Sequence, residues 1–257
     1  MKEIKNKISE VIGLSFSLAK ANFKLRNEGS YLGILWYLLN PLALFFMILF
    51  IRNEAFATTN IPNYPIYLLV GLLMHNFFIQ LVGASINVIQ LNGNFIKSIK
   101  IPLEALVVSR VLQSVFSHLL EIILIFICAI YLNAGIEGIF IYLAVFFLLS
   151  VFTLGLSFIF ATLGAHINDL SNVWIVLGQL LFFITPIFHA PKVDSLLYNV
   201  NLWNPLNYFI TAGREMFIYG RFPSAESMTL LVLISTITLL IGLWVFNKNK
   251  HTFAELV

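Results

Sequence analysis

Long stretches without charged side chains divide the sequence into candidate membrane spans. A hydrocarbon core about 30 Å thick requires about 20 apolar residues per helix. The runs near this length predict helices at about 31–51, 64–91, 105–132, 138–165, 172–188 and 227–246. The third run is less pure, because it contains Arg110, His118 and Glu121. We therefore predict an all-α integral membrane protein with six transmembrane helices.

The N-terminal segment has a different pattern, in which apolar positions recur at helical spacing and lysines occupy much of the opposite side. This pattern predicts an amphipathic helix lying in the membrane interface. A secretory signal peptide is the alternative, because Lys2, Lys5 and Lys7 precede a short apolar stretch. The predicted organisation is an interface helix at 1–29, a six-span transmembrane domain at 30–250 and a short cytoplasmic tail at 251–257.

Lysine and arginine are unevenly distributed over the two sides of these spans. One side carries eleven of the 15 basic residues: six before residue 30, three in or near the connection 92–110, and two in the tail. The other side carries Arg52, Lys192, Arg214 and Arg221. Because basic connections remain in the cytoplasm, both termini are predicted to be cytoplasmic.

The connection between the fifth and sixth spans, 189–226, is too apolar for a solvated external loop and is interrupted by an Asn-Pro pair. Irregular backbone at membrane depth is tolerated only where protein or water surrounds it. We predict two short re-entrant helices entering from outside, near 193–201 and 205–220. An amphipathic loop lying on the membrane surface is the alternative.

Composition supports the membrane assignment and limits the function. The chain of 257 residues is 60% hydrophobic and only 11% charged, whereas soluble domains carry about a quarter charged residues. The net charge of +3 is too small to indicate nucleic-acid binding, and the single cysteine cannot form an intramolecular disulfide. The sequence contains no phosphate-binding loop, no cluster with metal-ligand spacing and no nucleophile motif. We predict a protein that is not an enzyme and holds no metal or cofactor of its own.

Polar side chains form stripes inside two of the spans. In the second span Asn76, Gln80, Gly83, Asn87 and Gln90 share one helix face. The third span has a similar stripe that ends at Glu121. Such faces must meet another helix or water, so a hydrogen-bonded seam and a hydrated path are both open interpretations. Glu121 is a functional candidate, but it can also serve as a partner for Arg110 or His118, or as part of a proton relay.

Four patches resemble the membrane subunit of type-2 ABC exporters for polysaccharides, the family of O-antigen, teichoic acid and capsule exporters. They are GSYLGILWYLLNPL at 29–42, IPNYPIYLLVGLLMHNFF at 61–78, GNFIKSIKIPLEAL at 93–106, and TPIFHAP at 185–191 with WNPLNYFITAGRE at 203–215. The first two resemble the O-antigen and teichoic acid branch more than capsule exporters, and O-antigen permeases most. The segment 93–102 departs from the family, whose members more often have a more basic, aromatic-containing run there.

The resemblance implies a function and a set of partners. A homodimer of six-span subunits would bind two copies of a separate nucleotide-binding subunit, which would carry ATP and Mg. The cargo would be a polysaccharide linked to a polyprenyl-pyrophosphate lipid, exported across the bacterial cytoplasmic (inner) membrane through a channel along the dimer axis. A membrane-bound glycan polymerase or ligase is an alternative, as is an exporter of small lipids or drugs.

Three groups of candidate site residues follow. The candidates for lining the channel are Tyr37, Asn40, Asn76, Gln80, Asn87, Gln90 and Glu121. The short basic segment before Pro102 resembles a coupling helix that docks on the ATPase, although a solvated loop is the alternative. Its candidate contact residues are Phe95, Ile96, Lys97, Lys100 and Glu104. The candidates for the external gate or for sugar contact are Tyr198, Trp203, Tyr208 and Arg214, and an interfacial aromatic belt is the alternative there.

Overall fold

A computed structural model describes residues 2–55, 61–98 and 101–256, and helices are the only regular secondary structure in these ranges. The long N-terminal helix α1 (Lys2–Asn27) ends at a turn in which Gly29 has a φ of 78°. A left-handed backbone of this kind favours glycine. A short 3₁₀ turn (Gly33–Leu35) then leads into α2 (Trp36–Ala55), which contains Pro41.

The middle part of the chain forms three long helices, with two short ones between the first and the second. Helix α3 (Tyr64–Ile86) has proline in its first turn, and α4 (Val88–Leu91) and α5 (Gly93–Ser98) follow it as short pieces. Two long helices come next, α6 (Glu104–Tyr131) and α7 (Gly138–His166). The predicted second span of 64–91 therefore ends as a regular helix at Ile86.

The C-terminal part of the chain alternates short and long helices. Helix α8 (Leu170–Ile184) has 15 residues, and α9 (Leu196–Asn201) and α10 (Pro205–Tyr219) follow it. Asn204 and Ser224 cap α10 and α11 (Ala225–Asn249) by accepting hydrogen bonds from backbone N–H groups. The short α12 (Phe253–Leu256) ends the described chain.

Within the described ranges, five helices are long and apolar enough to cross a membrane: α2 with its preceding turn, α3, α6, α7 and α11. These correspond to the first four predicted spans and the sixth. Helix α8, at the position of the fifth, would be about 22 Å long at 1.5 Å per residue. The all-helical membrane fold is thus confirmed, while the count of six spans stays a prediction.

The core is organised around α3. In this helix 78% of the most apolar window is buried, against 17% in α2 and 22% in α11. The main cluster joins α3 to α7 and α10. A second cluster lies where α4 and α12 meet the start of α6 and the ends of α7 and α11, and its members include Val88, Leu106, Phe158, Phe246 and Phe253. The outer helices therefore retain large apolar faces that the chain itself does not cover.

Candidate functional site

A groove opens between α2 and α8, with α3 as its floor. Its volume is about 460 Å³, and its polar lining consists of Asn40, His75, Asn76, Gln80 and Gln179. The indole Nε1 of Trp174 donates a 2.9 Å hydrogen bond to the carbonyl oxygen of Ile79. This bond fixes α8 against α3, so the wall of the central groove is held in place.

Polar pockets continue the central groove toward the end of α1. A pocket of about 160 Å³ shares Asn40, Asn76 and Gln80 with the groove and adds Arg26, Tyr37 and Glu121 to the lining. Beside it, a recess of about 440 Å³ is lined by Arg26, Gln80, Ala84, Arg110, Gln113 and Ser114. We call the first the linking pocket and the second the arginine recess.

At its opposite end the central groove continues into an apolar recess of about 440 Å³. The two share Leu44, Phe182 and Phe183, and the recess extends to Arg52, Tyr64, Phe188 and His189. We call it the aromatic recess. The four spaces together form a track along one open face of the chain, which is polar toward α1 and aromatic toward the start of α3.

Three side chains hold the segment 185–189, which contributes Phe188 and His189 to the lining of the aromatic recess. The hydroxyl of Tyr64 donates to the carbonyl oxygen of Phe188 (2.8 Å), and that of Tyr67 donates to the carbonyl oxygens of Pro186 (3.2 Å) and His189 (2.9 Å). The Arg214 guanidinium donates to the carbonyl oxygens of Pro186 (2.6 Å) and Ile187 (2.7 Å). We call this arrangement the carbonyl clamp.

Cation–π contacts reinforce the carbonyl clamp. The guanidinium of Arg214 lies 3.7 Å from the Tyr67 ring centre, and that of Arg52 lies 3.7 Å from the Tyr64 ring centre. The two tyrosine rings are stacked at 6.1 Å. Such contacts gain strength when water is excluded.

His189 lies at the end of the same segment. Burial, together with the nearby Arg214, lowers the pKa of His189, so this loop imidazole is neutral at pH 7.

A buried hydrogen-bonded chain connects the linking pocket to α7. Nδ1 of His118 lies 2.8 Å from Oε2 of Glu121, and its Nε2 lies 2.7 Å from the Tyr142 hydroxyl. A neutral imidazole satisfies both contacts, because Nδ1–H donates to the carboxylate while Nε2 accepts from the tyrosine. The sequence offered Arg110 and His118 as partners of Glu121, and the structure selects His118.

The structure brings five of the seven predicted channel-lining residues together on the track. Asn40, Asn76 and Gln80 line the central groove, and Tyr37 and Glu121 line the linking pocket. The remaining two lie apart from it. Asn87 follows the last residue of α3, and Nε2 of Gln90 donates to the Gly164 carbonyl oxygen (3.0 Å) and to Oδ1 of Asn168 (2.9 Å).

The predicted coupling residues lie on or near α5, except Lys100, which is outside the described residues. Lys97 is exposed and Phe95 is half-buried. Ile96 packs against the second core cluster. The carboxylate of Glu104 forms a 2.7 Å ion pair with Lys250. This pair ties the start of α6 to the end of α11.

The predicted gate residues occupy different environments. The side chain of Trp203 is 87% exposed, whereas that of Arg214 is 4% exposed and belongs to the carbonyl clamp. The hydroxyl of Tyr208 donates to the Leu202 carbonyl oxygen (2.8 Å), and Tyr198 is half-buried on α9. Tyr67 holds the same loop as Arg214 but is not among the predicted gate residues, because nothing in the sequence distinguishes it from an ordinary interfacial tyrosine.

Several track residues were not predicted from the sequence. In the sequence, Gln179 is a lone amide in an apolar run, and Arg26 is one of the six basic residues that predict a cytoplasmic N-terminus. His75 lies beside the amide stripe in sequence, and folding places it in the same groove. Their shared location depends on how α1, α2, α3 and α8 pack, which the pattern of single helices does not contain.

A helical membrane bundle with a polar track along an open face is the arrangement of a membrane transport protein. Residues 14–218 match the family model described as ABC-2 type transporter. The chain belongs to this family and is a multi-pass membrane protein.

The curated relatives cover nearly the whole chain. It is 27% identical to the O-antigen export system permease protein RfbA of Klebsiella pneumoniae, over 99% of both chains. It is also 27% identical to the protein of the same name from Myxococcus xanthus, over 95% of both chains. The polysialic acid transport protein KpsM of Escherichia coli is 24% identical, over 86% of this chain and 87% of its own.

Proposed function

We propose that this chain is the channel-forming permease subunit of an ATP-driven exporter that moves a lipid-linked, O-antigen-like polysaccharide across the bacterial cytoplasmic membrane. The observation that carries the proposal is the continuous track, whose amide-rich part offers hydrogen-bond donors and acceptors to sugar hydroxyls. Its aromatic part offers flat faces suited to the apolar sides of sugar rings. The relatives named for O-antigen and polysialic acid support the same cargo class.

The channel is completed by a second copy of the chain. The track is open on one side, so one chain supplies only part of a channel wall. Both helices beside the opening expose apolar side chains, with Phe50 of α2 71% exposed and Ile175 of α8 58% exposed. A twofold partner brings the same surface to the opening, covers these faces and encloses the polar lining. Oligomers of this kind are commonly dimers.

The chain crosses the membrane six times, with α8 as its short fifth span and both termini in the cytoplasm. Helices α9 and α10 re-enter the membrane from outside. Helix α10 packs against α3, α7 and α11, which supports a position inside the bundle. The carbonyl clamp then lies at the external end of the channel and keeps it closed at rest.

Two copies of a separate nucleotide-binding subunit supply the energy by hydrolysing ATP. Helix α5 docks on this subunit, with the half-buried Phe95 and the exposed Lys97 among its contact residues. The ion pair between Glu104 and Lys250 passes the movement of α5 to α6 and α11. This chain supplies the path for the cargo, while the chemistry of ATP hydrolysis belongs to its partner.

A clean gene deletion tests the proposed function. We expect complete lipid-linked polymer to accumulate on the cytoplasmic side, surface polysaccharide to be lost, and a plasmid copy of the gene to restore export. A glycan polymerase or ligase would instead leave unfinished polymer. Normal surface polysaccharide in the deletion strain, with no second permease gene of this family in the genome, would contradict the proposal.

A further inference from the structure

The arginine recess differs from the rest of the track in its charge. Two guanidinium groups, those of Arg26 and Arg110, line it together with the polar side chains of Gln80, Gln113 and Ser114. Its lining within the described chain includes no carboxylate. Glu121 lines the neighbouring linking pocket instead. The recess is therefore a positively charged space with neutral hydrogen-bonding groups around it.

The two arginines have no acidic partner among the side chains that the structure describes. Arg26 lies over the Tyr37 ring at 4.8 Å, and Nη1 of Arg110 donates to Oε1 of Gln113 at 3.3 Å. Both guanidinium groups line the same recess, and Arg110 is half-buried. Like charges in such a place repel each other, and an anion between them would remove the repulsion.

In the proposed topology, in which Arg52 and Tyr64 lie at the external side, the recess lies near the depth of the cytoplasmic lipid headgroups. Arg52 and Tyr64 are in contact at the aromatic end of the track. From there, both α2 back to Trp36 and α3 forward to Gln80 extend over 16 residues, or about 24 Å. This length approaches the hydrocarbon thickness of about 30 Å. Gln80 lines the arginine recess, and Trp36 lines the adjoining linking pocket.

We propose that the arginine recess binds the pyrophosphate of a lipid-linked substrate at the entrance to the track. Guanidinium groups suit phosphoryl oxygens because their planar N–H donors form bidentate, charge-assisted hydrogen bonds. A pyrophosphate has enough charge for two arginines. Gln80 lines both the recess and the central groove, so a glycan attached to the bound pyrophosphate would face the polar lining.

The proposal rests on the proposed function, since that function supplies a substrate with a pyrophosphate. The phosphodiester headgroup of an ordinary anionic phospholipid offers the same phosphoryl chemistry. The continuity of the recess with the central groove favours the cargo, because a phospholipid has no glycan for the groove to receive. The binding measurement therefore has to separate these two sources.

The test measures ligand binding to the full chain in phosphatidylcholine nanodiscs. Geranylgeranyl pyrophosphate is the ligand, geranylgeraniol is its uncharged control and phosphatidylglycerol is the competing lipid. We expect Arg26→Gln and Arg110→Gln each to weaken pyrophosphate binding by about tenfold or more, the effect of losing one charge-assisted contact. Lys20→Gln is the matched control, because Lys20 is an exposed cation of α1 outside the recess, and it should bind as the wild type does.

Two further measurements keep the test decisive. Arg26→Lys and Arg110→Lys retain the charge and should bind more tightly than the glutamine variants. Competition between geranylgeranyl pyrophosphate and phosphatidylglycerol is measured on the wild-type protein, so its result does not depend on whether a variant folds. Equal affinity for the pyrophosphate and the alcohol, or unchanged affinity in both glutamine variants, would overturn the proposal. Equally effective competition by phosphatidylglycerol would also overturn it, by assigning the recess to bulk lipid.

These outcomes are separate from those of the gene deletion. If the glutamine variants bind normally and the deletion still abolishes surface polysaccharide, the pyrophosphate site is wrong and the proposed function remains. If the deletion strain exports polysaccharide normally but the recess binds the pyrophosphate, the pyrophosphate site is correct and the proposed function is wrong. The chain then serves a different lipid-linked substrate.

Discussion

A single buried charge, Arg214, determines the structure at the aromatic end of the track. Arg214 is a candidate for the external gate in the sequence, because it lies with Glu215 near the end of an apolar segment. The structure shows that its guanidinium binds two backbone carbonyl groups in the carbonyl clamp. Gly71 leaves the space for it, because a Cβ there would overlap Nη2 of Arg214. The sequence revealed the charge but not its partners, since backbone acceptors have no side-chain signature.

Replacing Arg214 tests the carbonyl clamp. In Arg214→Met the Pro186 and Ile187 carbonyl groups lose charge-assisted donors and stay buried. We expect a loss of about 3 kcal/mol in the free energy of unfolding, or roughly 6–12 °C in the midpoint of thermal unfolding in detergent. Cleavage by protease within 185–195 should also become faster.

The matched control for this change is Arg221→Met. Arg221 is an exposed arginine whose partner is Glu215, at 3.3 Å, and an exposed ion pair of this kind contributes about 0–1 kcal/mol. Its melting midpoint should stay close to that of the wild type. Equal stability of the two variants would show that the clamp does not hold the loop.

At the scale of whole helices, periodicity predicted which segments are helical but not where each helix stops. The amide stripe of the second span assumed one helix over 64–91. Asn87 interrupts α3 with a φ of −92° and a ψ of 5°, and Gln90 consequently reaches α7 at Gly164. A helix break shifts every later side chain to a new direction, so spacing alone cannot place residues beyond it.

The contact between α7 and α11 shows how helices are held together in this protein. Gly155 and Gly242 allow the two backbones to approach closely, and the Ser235 hydroxyl donates a 2.9 Å hydrogen bond to the Leu148 carbonyl oxygen. Small residues and hydroxyl groups are the typical means of helix association in membranes. Hydropathy treats these positions as ordinary members of an apolar run, so it could not predict the contact.

The substitution Gly242→Ala tests this packing. A Cβ at residue 242 would collide with the Gly155 carbonyl oxygen, which is backbone and cannot move away by rotating a side chain. Alanine is the better helix former by about 1 kcal/mol. We nevertheless expect Gly242→Ala to lose about 2 kcal/mol, observed as a melting midpoint lower by about 4–8 °C.

Gly13→Ala is the matched control, since a Cβ at residue 13 of α1 would meet nothing within 4 Å. Its melting midpoint should be unchanged or slightly higher. A rise of similar size in both variants would mean that propensity alone decides, and that α7 and α11 are not in close contact at this point.

At the scale of the whole molecule, the sequence predicted the all-helical fold, the transporter family and five of the polar or aromatic residues that meet on the track. It could not predict the track itself. The central groove forms because α2 and α8 stand apart over α3, and the arginine recess forms because α1 packs along α6. Both depend on tertiary packing between segments far apart in the chain. In the proposed dimer, a second copy of the chain covers the open face and encloses the track.

The water accessibility of the track in the membrane tests the hydrated channel most directly. In a Cys128→Ser background, single cysteines replace Gln80 and Gln179 in the central groove and Phe147 on an exposed apolar position of α7. A charged thiol reagent is applied to both sides of membranes containing the assembled protein. Because thiolate formation requires water, we predict labelling at 80 and 179 and none at 147. Protection of 80 and 179 to the same degree as 147 would contradict a hydrated channel between two copies of this chain.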